Sequence, residues 1–411
     1  MKYLSYGSVT GPVLGFLWCF TAASSVAVIF SFATGYAFRP SLSLSLLAGV
    51  IAGLGVIAAN RLSEFLNRQG AALILAALLA LLTYIGQGPV VYDALQVSQP
   101  VAVLACLLTG GFVVIPIAVI LHESPINAMS RHEFEDAIIR FLTGFGMVFF
   151  TAIVMIPFYV MLLTSFKSQG ELTRDPLNFS LDLSRGWDLF RSYQELILVF
   201  NFDRYLLISF VVSILTVIIT LLFSVPGAYA VARLRFRGQK AFSRSILLIY
   251  MVPMIVLALP IYIVFSMVAL RDTLIGIILI YPVTTIPVAL YILQGYFRGL
   301  PVEVEEAGLM DGLSRLACIW KITLPLSLPA MASVSLYVFM IAWNEFLLAF
   351  MLLDNPQIFT LTRGVASLNS SEVPRQHLMA GAVISTIPVL VLFLGLERFM
   401  TKGLTAGSVK G

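Results

Sequence analysis

Residues 301–329 read PVEVEEAGLMDGLSRLACIWKITLPLSLP, a charged stretch punctuated by glycine. Apolar runs flank it at 273–296 and 327–352. Each run is longer than the roughly 20 residues that an α-helix needs to cross a bilayer. The stretch therefore predicts an extramembrane loop between two membrane spans, and the rest of the chain is interpreted from this loop.

Composition supports a membrane protein. Of the 411 residues, 59% are hydrophobic and only 11% are charged, which is too little polar surface to cover a soluble globule of this size. Because lipid offers the backbone no hydrogen-bond partners, long apolar runs in it must be helices. We predict an all-α polytopic protein with about ten transmembrane helices. The predicted spans are 11–36, 42–59, 71–92, 101–121, 141–164, 205–231, 245–269, 273–296, 327–352 and 378–399.

Charge placement predicts the topology. The loop after the sixth run contains five basic residues and no acidic residue, as the positive-inside rule expects of a cytoplasmic loop. Counting ten spans from this loop places both termini and residues 301–325 in the cytoplasm. The long segment 165–204 has mixed charge and is predicted to be external. The five basic residues are Arg233, Arg235, Arg237, Lys240 and Arg244.

The loop at 301–325 has the start and stop signals of a short helix. Pro301 suits a helix start, and acidic side chains favour the positive N-terminal end of a helix. Gly312 is a good terminator, since glycine readily adopts the left-handed conformation of a helix C-cap. The acidic residues are Glu303, Glu305 and Glu306.

Small residues in the same helix predict a face for close contact. Val304, Ala307 and Gly308 are spaced i, i+3 and i+4, so they share one side of the helix. This face would let a second protein approach closely. A second helix is predicted from about Ser314 to Lys321. The alternative is an ordinary amphipathic surface helix between two spans.

The loop resembles a known coupling motif. Glu306-Ala307-Gly308 is followed after three residues by Gly312, and after nine more by Ile322-Thr323-Leu324-Pro325. This pattern is similar to the EAA loop of ABC-importer permeases, a cytoplasmic segment that docks into a groove on a separate ATPase. The resemblance implies that these residues couple to the ATPase: Glu303, Glu306, Ala307, Gly308, Asp311, Gly312, Ile322, Leu324 and Pro325.

Four further motifs extend the resemblance to residues from about 141 to 400. This region resembles the permeases of carbohydrate ABC importers of the maltose MalG type. It implies a six-helix type I importer core. Two positions depart from the family pattern: Gly308 replaces the second alanine, and Ile208-Ser209 replaces an asparagine-serine pair. The motifs are Leu163-Thr164-Ser165-Phe166-Lys167, Ala228-Tyr229-Ala230-Val231-Ala232-Arg233-Leu234 with Gly238, Met251-Val252-Pro253-Met254-Ile255, and Trp343-Asn344-Glu345-Phe346.

The resemblance divides the chain into three parts. Residues 1–122 form four accessory helices, 123–140 form a cytoplasmic linker, and 141–411 form the permease with its coupling loop at 301–325. In the accessory part, Ser45, Gly49 and Gly53 repeat at four-residue spacing, which allows close helix packing.

The chain contains no machinery for ATP hydrolysis. We find no glycine-rich loop ending in Gly-Lys-Ser or Gly-Lys-Thr. Cys19, Cys106 and Cys318 lack the spacing of a disulfide or a metal site. We therefore expect a non-enzymatic subunit with no cofactor, no metal and no nucleic-acid partner. The resemblance implies as partners two copies of an ABC ATPase, a second permease, an extracytoplasmic solute-binding protein, membrane lipid and a carbohydrate substrate.

The string Trp343-Asn344-Glu345-Phe346 is a candidate part of the translocation path. A carboxylate inside a span is expensive unless it faces protein or water. Aromatic faces, amides and carboxylates can stack on or hydrogen-bond to a polyhydroxylated solute. The alternative is that Trp343 is an interface residue and that Glu345 serves an arginine or a helix end.

The sequence predicts a permease subunit of a sugar importer in the bacterial inner membrane. Two alternatives stay open. One is an importer of another polar solute. The other is a secondary transporter, which needs ion-coupling carboxylates or histidines deep in the membrane; Glu345 and Glu397 are the candidates.

Overall fold

The computed structural model describes residues 6–61, 68–122, 124–174, 178, 180–181, 183–369 and 373–405. The chain divides into two compact units, Met1–Leu189 and Phe190–Gly411. Apart from one two-residue β-ribbon, the regular elements described are helices, so the predicted all-α class is confirmed.

In the part of the first unit that the structure describes, there are six α-helices and the ribbon. The strands β1 (Arg39–Pro40) and β2 (Val90–Val91) pair antiparallel. A 3-10 helix, Leu183–Phe190, follows the last of these helices. The helices are α1 (Gly7–Thr34), α2 (Leu42–Arg61), α3 (Arg68–Tyr84), α4 (Gln99–Ile120), α5 (Arg131–Ser165) and α6 (Gln169–Arg174).

The second unit contains eleven α-helices within its described residues. A π-helical turn, Ile319–Thr323, and a 3-10 turn, Pro356–Ile358, complete it. The helices are α7 (Arg191–Leu198), α8 (Phe202–Arg233), α9 (Gln239–Tyr250), α10 (Met254–Met267), α11 (Leu274–Gly299), α12 (Val302–Met310), α13 (Arg315–Cys318), α14 (Leu324–Asn344), α15 (Leu347–Leu352), α16 (Leu361–Ser367) and α17 (Arg375–Thr405).

Eight helical segments in the described residues are long and apolar enough to cross a membrane. Two further apolar segments, Gln69–Tyr84 and Met254–Met267, are shorter than 18 residues. Each corresponds to part of a predicted span, so the count of ten stays a prediction.

Two predicted spans are wrong as continuous helices. The span 245–269 is divided between α9 and α10, because Pro253 is extended and forms the N-cap of α10. The span 327–352 ends early, because Glu345 takes an extended conformation between α14 and α15. The helix breaks lie at positions that a hydropathy pattern does not mark.

The helix after the first four begins ten residues earlier than predicted. A capping box starts α5 at Arg131: the Ser130 hydroxyl accepts from the Glu133 backbone N–H, and the Glu133 carboxylate accepts from the Ser130 N–H at 2.6 Å. Residues 131–140 of the predicted linker therefore continue directly into the span. The whole of α5 belongs to the first compact unit.

Glycines bring α1 and α2 into close contact. A Cβ atom built on Gly49 would lie 2.5 Å from the Gly15 carbonyl oxygen and 2.5 Å from the Phe16 Cα. A Cβ on Gly53 would lie 2.7 Å from the Gly11 carbonyl carbon. The close packing predicted from the Ser45, Gly49 and Gly53 spacing is confirmed, because only glycine allows these backbones to touch.

We expect Gly49→Leu to destabilise the first unit by about 2 kcal/mol, since the added side chain must separate α1 from α2. Thermal denaturation of the purified chain in detergent measures the effect. Gly70→Leu is the matched control, because a Cβ at Gly70 in α3 meets nothing within 4 Å. Equal melting temperatures for the two variants would contradict the packing argument.

A stripe of small polar residues organises the second unit. These residues lie along one side of α8 at intervals of three or four and are buried. Thr220 and Thr285 of α11 share a hydrogen bond of 2.6 Å, and the Ser209 hydroxyl accepts from the Leu361 N–H at 2.6 Å. Small polar residues let membrane helices approach closely. The stripe comprises Ser209, Ser213, Thr216, Thr220 and Ser224.

Candidate coupling loop and translocation path

The loop at 301–325 forms a compact helical hairpin. Its first helix, α12, ends at Met310 with Asp311 as the C-cap, and Gly312 follows with φ of 85°. The predicted left-handed termination at Gly312 is confirmed, since such an angle is strained for any residue with a Cβ. Ser314 then caps α13 by accepting from the Ala317 N–H at 3.2 Å.

The second half of the hairpin is helical from Arg315, close to the start predicted at about Ser314, but it does not end near Lys321. The chain passes from α13 through the π-helical turn directly into α14, and residues 315–344 form one continuous helical segment. Pro325 causes no break, because it lies in the first turn of α14, where proline is tolerated. The loop and the following span therefore form one mechanical element.

Glu305 joins the loop to the membrane helix α8. Its carboxylate accepts hydrogen bonds from the Thr323 hydroxyl at 2.9 Å and from the Tyr229 hydroxyl at 3.3 Å. Arg233 Nε lies 3.6 Å from the same carboxylate, and Arg233 Nη2 donates to the Leu300 carbonyl at 2.6 Å. The two charged side chains are 9% and 14% exposed, so the pair is largely shielded from water.

Gly308 lies inside the hairpin, which is a correction to the predicted contact face. It is buried, and a Cβ there would lie 2.5 Å from Ile322 Cδ1 and 2.9 Å from Cys318 Sγ. Gly308 is thus required for packing within the chain, and Ile322 is its neighbour. Val304 and Ala307 are exposed, so the three small residues do not form one outward face.

The outer face of the hairpin contains acidic and apolar side chains. Among the predicted coupling residues, Glu303, Glu306, Ala307, Asp311, Gly312 and Pro325 are exposed, whereas Leu324 is half-buried. Large apolar side chains lie beside them: Met310 is 88% exposed, and Leu316 and Trp320 are each 71% exposed. Such a rimmed apolar patch is typical of a protein-binding surface. We call this set of exposed residues the outer loop face.

Trp343 lies in the interior of the second unit. It is 2% exposed, its indole N–H donates to the Ser385 carbonyl at 3.0 Å, and its ring stacks on Phe339. Trp343 therefore contributes to packing between α14 and α17 within this unit. Its ring is neither at a membrane–water interface nor free to stack on a solute.

Glu345 occupies a helix end, which was the alternative considered from the sequence. Its carboxylate accepts from the Leu348 N–H at 2.9 Å and from the Ala349 N–H at 3.1 Å. These are among the otherwise unsatisfied N–H groups that open α15. The carboxylate thus stabilises the break between α14 and α15, while the Glu345 carbonyl accepts from Thr362 at 2.7 Å.

Asn344 and Phe346, on either side of Glu345, are exposed. The Asn344 amide donates to the Met340 carbonyl of its own helix at 2.9 Å, and Phe346 packs against Phe350. Of the four predicted path residues, these two present side chains at the surface of the second unit.

Sequence reasoning missed Glu305 and Arg233 as a pair. In the sequence, Arg233 indicates the topology and Glu305 indicates a helix start, and the two residues are 72 positions apart. A basic residue ending one span and an acidic residue beginning a loop have no fixed sequence spacing. One sequence signal points to this site: Tyr229 and Arg233 are four residues apart, so both side chains lie on one side of α8 and can contact the same carboxylate.

Comparisons with known proteins agree with this architecture. Residues 224–405 match the family model described as binding-protein-dependent transport system inner membrane component. The chain is 36% identical over 269 residues, 65% of its length, to the inner membrane ABC transporter permease protein YcjP of Escherichia coli K12, covering 95% of that protein. It is 31% identical to the trehalose/maltose transport system permease protein MalG of Thermococcus litoralis, over 67% of this chain and 99% of that protein.

A solved structure shares the fold. A chain in the crystal structure of a bacterial ABC transporter involved in the import of the acidic polysaccharide alginate superposes with a TM-score of 0.56. The match covers 66% of this chain and 98% of that chain, at 23% sequence identity. The family model begins at residue 224, so its match does not include the helices of the first unit.

Proposed function

The chain belongs to the family of binding-protein-dependent transport inner membrane components, and from this membership we propose that it carries a sugar or oligosaccharide across the membrane. Members of this family are non-catalytic, multi-pass permease subunits of ABC importers in the inner membrane. They work with an ATPase and a binding protein. The substrate proposal rests on one observation: the chain aligns with nearly the whole of a permease named for trehalose and maltose.

We propose that the outer loop face binds the ATPase. The face is acidic and apolar, whereas the opposite side of α12 contacts α8 and α13. An ATPase groove that covers Met310 and Trp320 would bury apolar area that is otherwise in water. Two ATPase copies and a second permease with its own loop complete the proposed assembly.

The proposed architecture is a six-helix MalG-like core preceded by four accessory helices, with ten spans in total. The proposed domains are those predicted from the sequence: the accessory helices 1–122, the linker 123–140 and the permease 141–411. Both termini and the coupling loop are proposed to lie in the cytoplasm, which the arginine-rich segment after α8 supports. For the path, Asn344 and Phe346 are the proposed lining residues, because their side chains are exposed.

The first test identifies the proteins that co-purify with the chain in mild detergent. We expect an ATPase and a second permease by mass spectrometry. We expect Glu306→Lys to lower the recovered ATPase about tenfold, a loss of about 1.4 kcal/mol from reversing one charge at an exposed contact. Asp188→Lys is the control, because it reverses the charge of an exposed residue outside the loop. Recovery of the chain alone would support a secondary transporter instead.

The substrate is tested separately. The binding protein that co-purifies or is co-encoded is titrated calorimetrically with trehalose, maltose and longer glucans, and with polyamines as the competing class. Sugar-stimulated ATP hydrolysis by the reconstituted complex is the expected result. Stimulation by a polyamine alone would leave the importer intact and overturn only the substrate proposal.

A further inference from the structure

A short stretch after α8 carries positive charge that no acidic residue near it in the chain offsets. It spans residues 235–244, and the chain contains no Asp or Glu from 204 to 271. Arg233, two residues before it, pairs with Glu305. The four cations of the stretch are exposed, and among the ion pairs that the described residues form, none includes them. We call residues 235–244 the basic stretch, and its cations are Arg235, Arg237, Lys240 and Arg244.

One face of α9 fixes the basic stretch against the rest of the second unit. Ile246 is 5% exposed and packs in a core cluster with residues of α8, α11 and α14. The Ser243 hydroxyl shares a hydrogen bond of 3.0 Å with the side-chain amide of Gln294 in α11. Gln239 Nε2 donates to the Val231 carbonyl of α8 at 2.7 Å. The contacting residues of α9 are spaced i, i+4 and i+7, so the opposite face of this helix is directed outward.

The outward surface of α9 changes from cationic to apolar along the helix. Its first half presents Lys240 and Arg244, which are four residues apart and therefore neighbours on the helix surface. Its second half presents Leu248 and Ile249, which are 65% and 57% exposed. The next helix, α10, begins with further exposed apolar side chains such as Ile255. This order from charged to apolar is the order of a bilayer leaflet from its headgroups to its acyl chains.

Two aromatic side chains lie among the cations. Phe236 and Phe242 are 44% and 48% exposed, and each lies between two basic residues in the sequence. Helical segments that combine Lys and Arg with exposed Phe are typical of the membrane interface. The position agrees with this, because α8 is a candidate membrane span that ends at Arg233. The basic stretch therefore begins where that span reaches the level of the headgroups.

We propose that the basic stretch binds the headgroups of anionic phospholipids, with the rings of Phe236 and Phe242 among the acyl chains. Clusters of Lys and Arg at the end of a membrane span attract anionic lipid. A leaflet offers anionic groups and hydrocarbon in the order found along α9, whereas an acidic protein surface offers no hydrocarbon to its apolar half. The site adjoins the coupling loop, since Arg233 donates to the Leu300 carbonyl. The proposal does not depend on which solute the importer carries.

The test measures which lipid the whole importer complex retains. The complex is reconstituted in nanodiscs of equal phosphatidylglycerol and phosphatidylcholine, and the retained lipids are weighed by native mass spectrometry. We expect the native chain to retain an excess of phosphatidylglycerol. Arg237→Gln with Lys240→Gln should lower the ratio of phosphatidylglycerol to phosphatidylcholine at least about tenfold, since each basic residue near an anionic leaflet contributes about a factor of five. Arg233, Arg235 and Arg244 keep the orientation signal of this loop.

Arg131→Gln with Arg204→Gln is the matched control, because it removes the same charge from two exposed cations that have acidic neighbours. Arg131 pairs with Glu135 at 2.7 Å, and Arg204 directly follows Asp203. We expect this control to change the lipid ratio by less than about twofold, since each of these charges is already offset locally. An equal fall of the ratio in both double variants, or a fall in neither, would overturn the proposal.

A photoreactive residue in place of Phe242 identifies the occupant directly. We expect p-benzoylphenylalanine at this position to crosslink to phosphatidylglycerol in the same nanodiscs. Crosslinking to another subunit of the importer would overturn the proposal, because a protein would then cover the basic stretch. Crosslinking to phosphatidylcholine in preference to phosphatidylglycerol would also overturn it, because the cations would then select no headgroup.

Discussion

Replacing Glu305 by alanine should abolish the ATP hydrolysis that solute stimulates in the importer complex. The change leaves Arg233 as a largely buried cation and removes the acceptor for Thr323 and Tyr229. Removing one partner of a buried ion pair typically costs about 3 to 5 kcal/mol. We expect the coupling loop to open in most molecules, and solute-stimulated ATP hydrolysis by the reconstituted complex to fall at least about 100-fold, which corresponds to about 2.7 kcal/mol.

Hydrogen exchange of residues 302–323 separates this mechanism from general misfolding. We expect faster exchange in the loop, with α8 and α11 unchanged. Glu303→Ala is the matched control for hydrogen exchange, because Glu303 lies on the same helix, is exposed and should leave the loop closed. The double variant Glu305→Leu with Arg233→Leu should recover part of the loop protection, since apolar pairs often replace buried ion pairs without loss. Normal hydrolysis in Glu305→Ala would contradict the role of the pair.

Gly308→Leu should have the second largest effect. The added side chain begins within 3 Å of both Ile322 and Cys318, which belong to the opposite half of the hairpin. Relief requires the hairpin halves to separate, at a cost of about 3 kcal/mol, the upper end for overpacking. We expect transport by proteoliposomes to be lost, and the Cys318 thiol, buried in the native loop, to react with maleimide.

Gly299→Leu is the matched control for this substitution. Gly299 ends α11 immediately before the loop, and a Cβ there meets nothing within 4 Å. The thiol should stay protected in Gly299→Leu. A protected thiol in Gly308→Leu would show that the loop tolerates the bulk, and the packing explanation for this glycine would be wrong.

The sequence predicts well those features that follow from local chemistry. Runs of apolar residues determine where helices cross a membrane, since lipid leaves the backbone no alternative. Gly312 is predictable as a helix end because glycine adopts the left-handed conformation at low cost, and its φ in the structure is 85°. The α1–α2 contact followed from small residues at four-residue spacing.

Features that depend on distant residues were not predictable in the same way. Helical spacing gives the direction of Gly308 only relative to Ala307 and Val304. Its burial depends on Cys318 and Ile322, which lie in the opposite half of the hairpin. Trp343 resembled a solute contact, yet its indole N–H binds the Ser385 carbonyl, 42 residues further along the chain. A pattern in one segment does not reveal what another segment places beside it.

The continuous helix from the hairpin into α14 has a geometric consequence. Its part from Leu324 to Asn344, α14, is about 30 Å long at 1.5 Å per residue. If α14 turns as one body about the hairpin, a rotation of about 10° moves its end at Asn344 by about 5 Å, close to one helical pitch. Glu345 takes an extended conformation between α14 and α15. In such a swing this non-helical residue would absorb the displacement, so that α15 stays in place while the end of α14 moves.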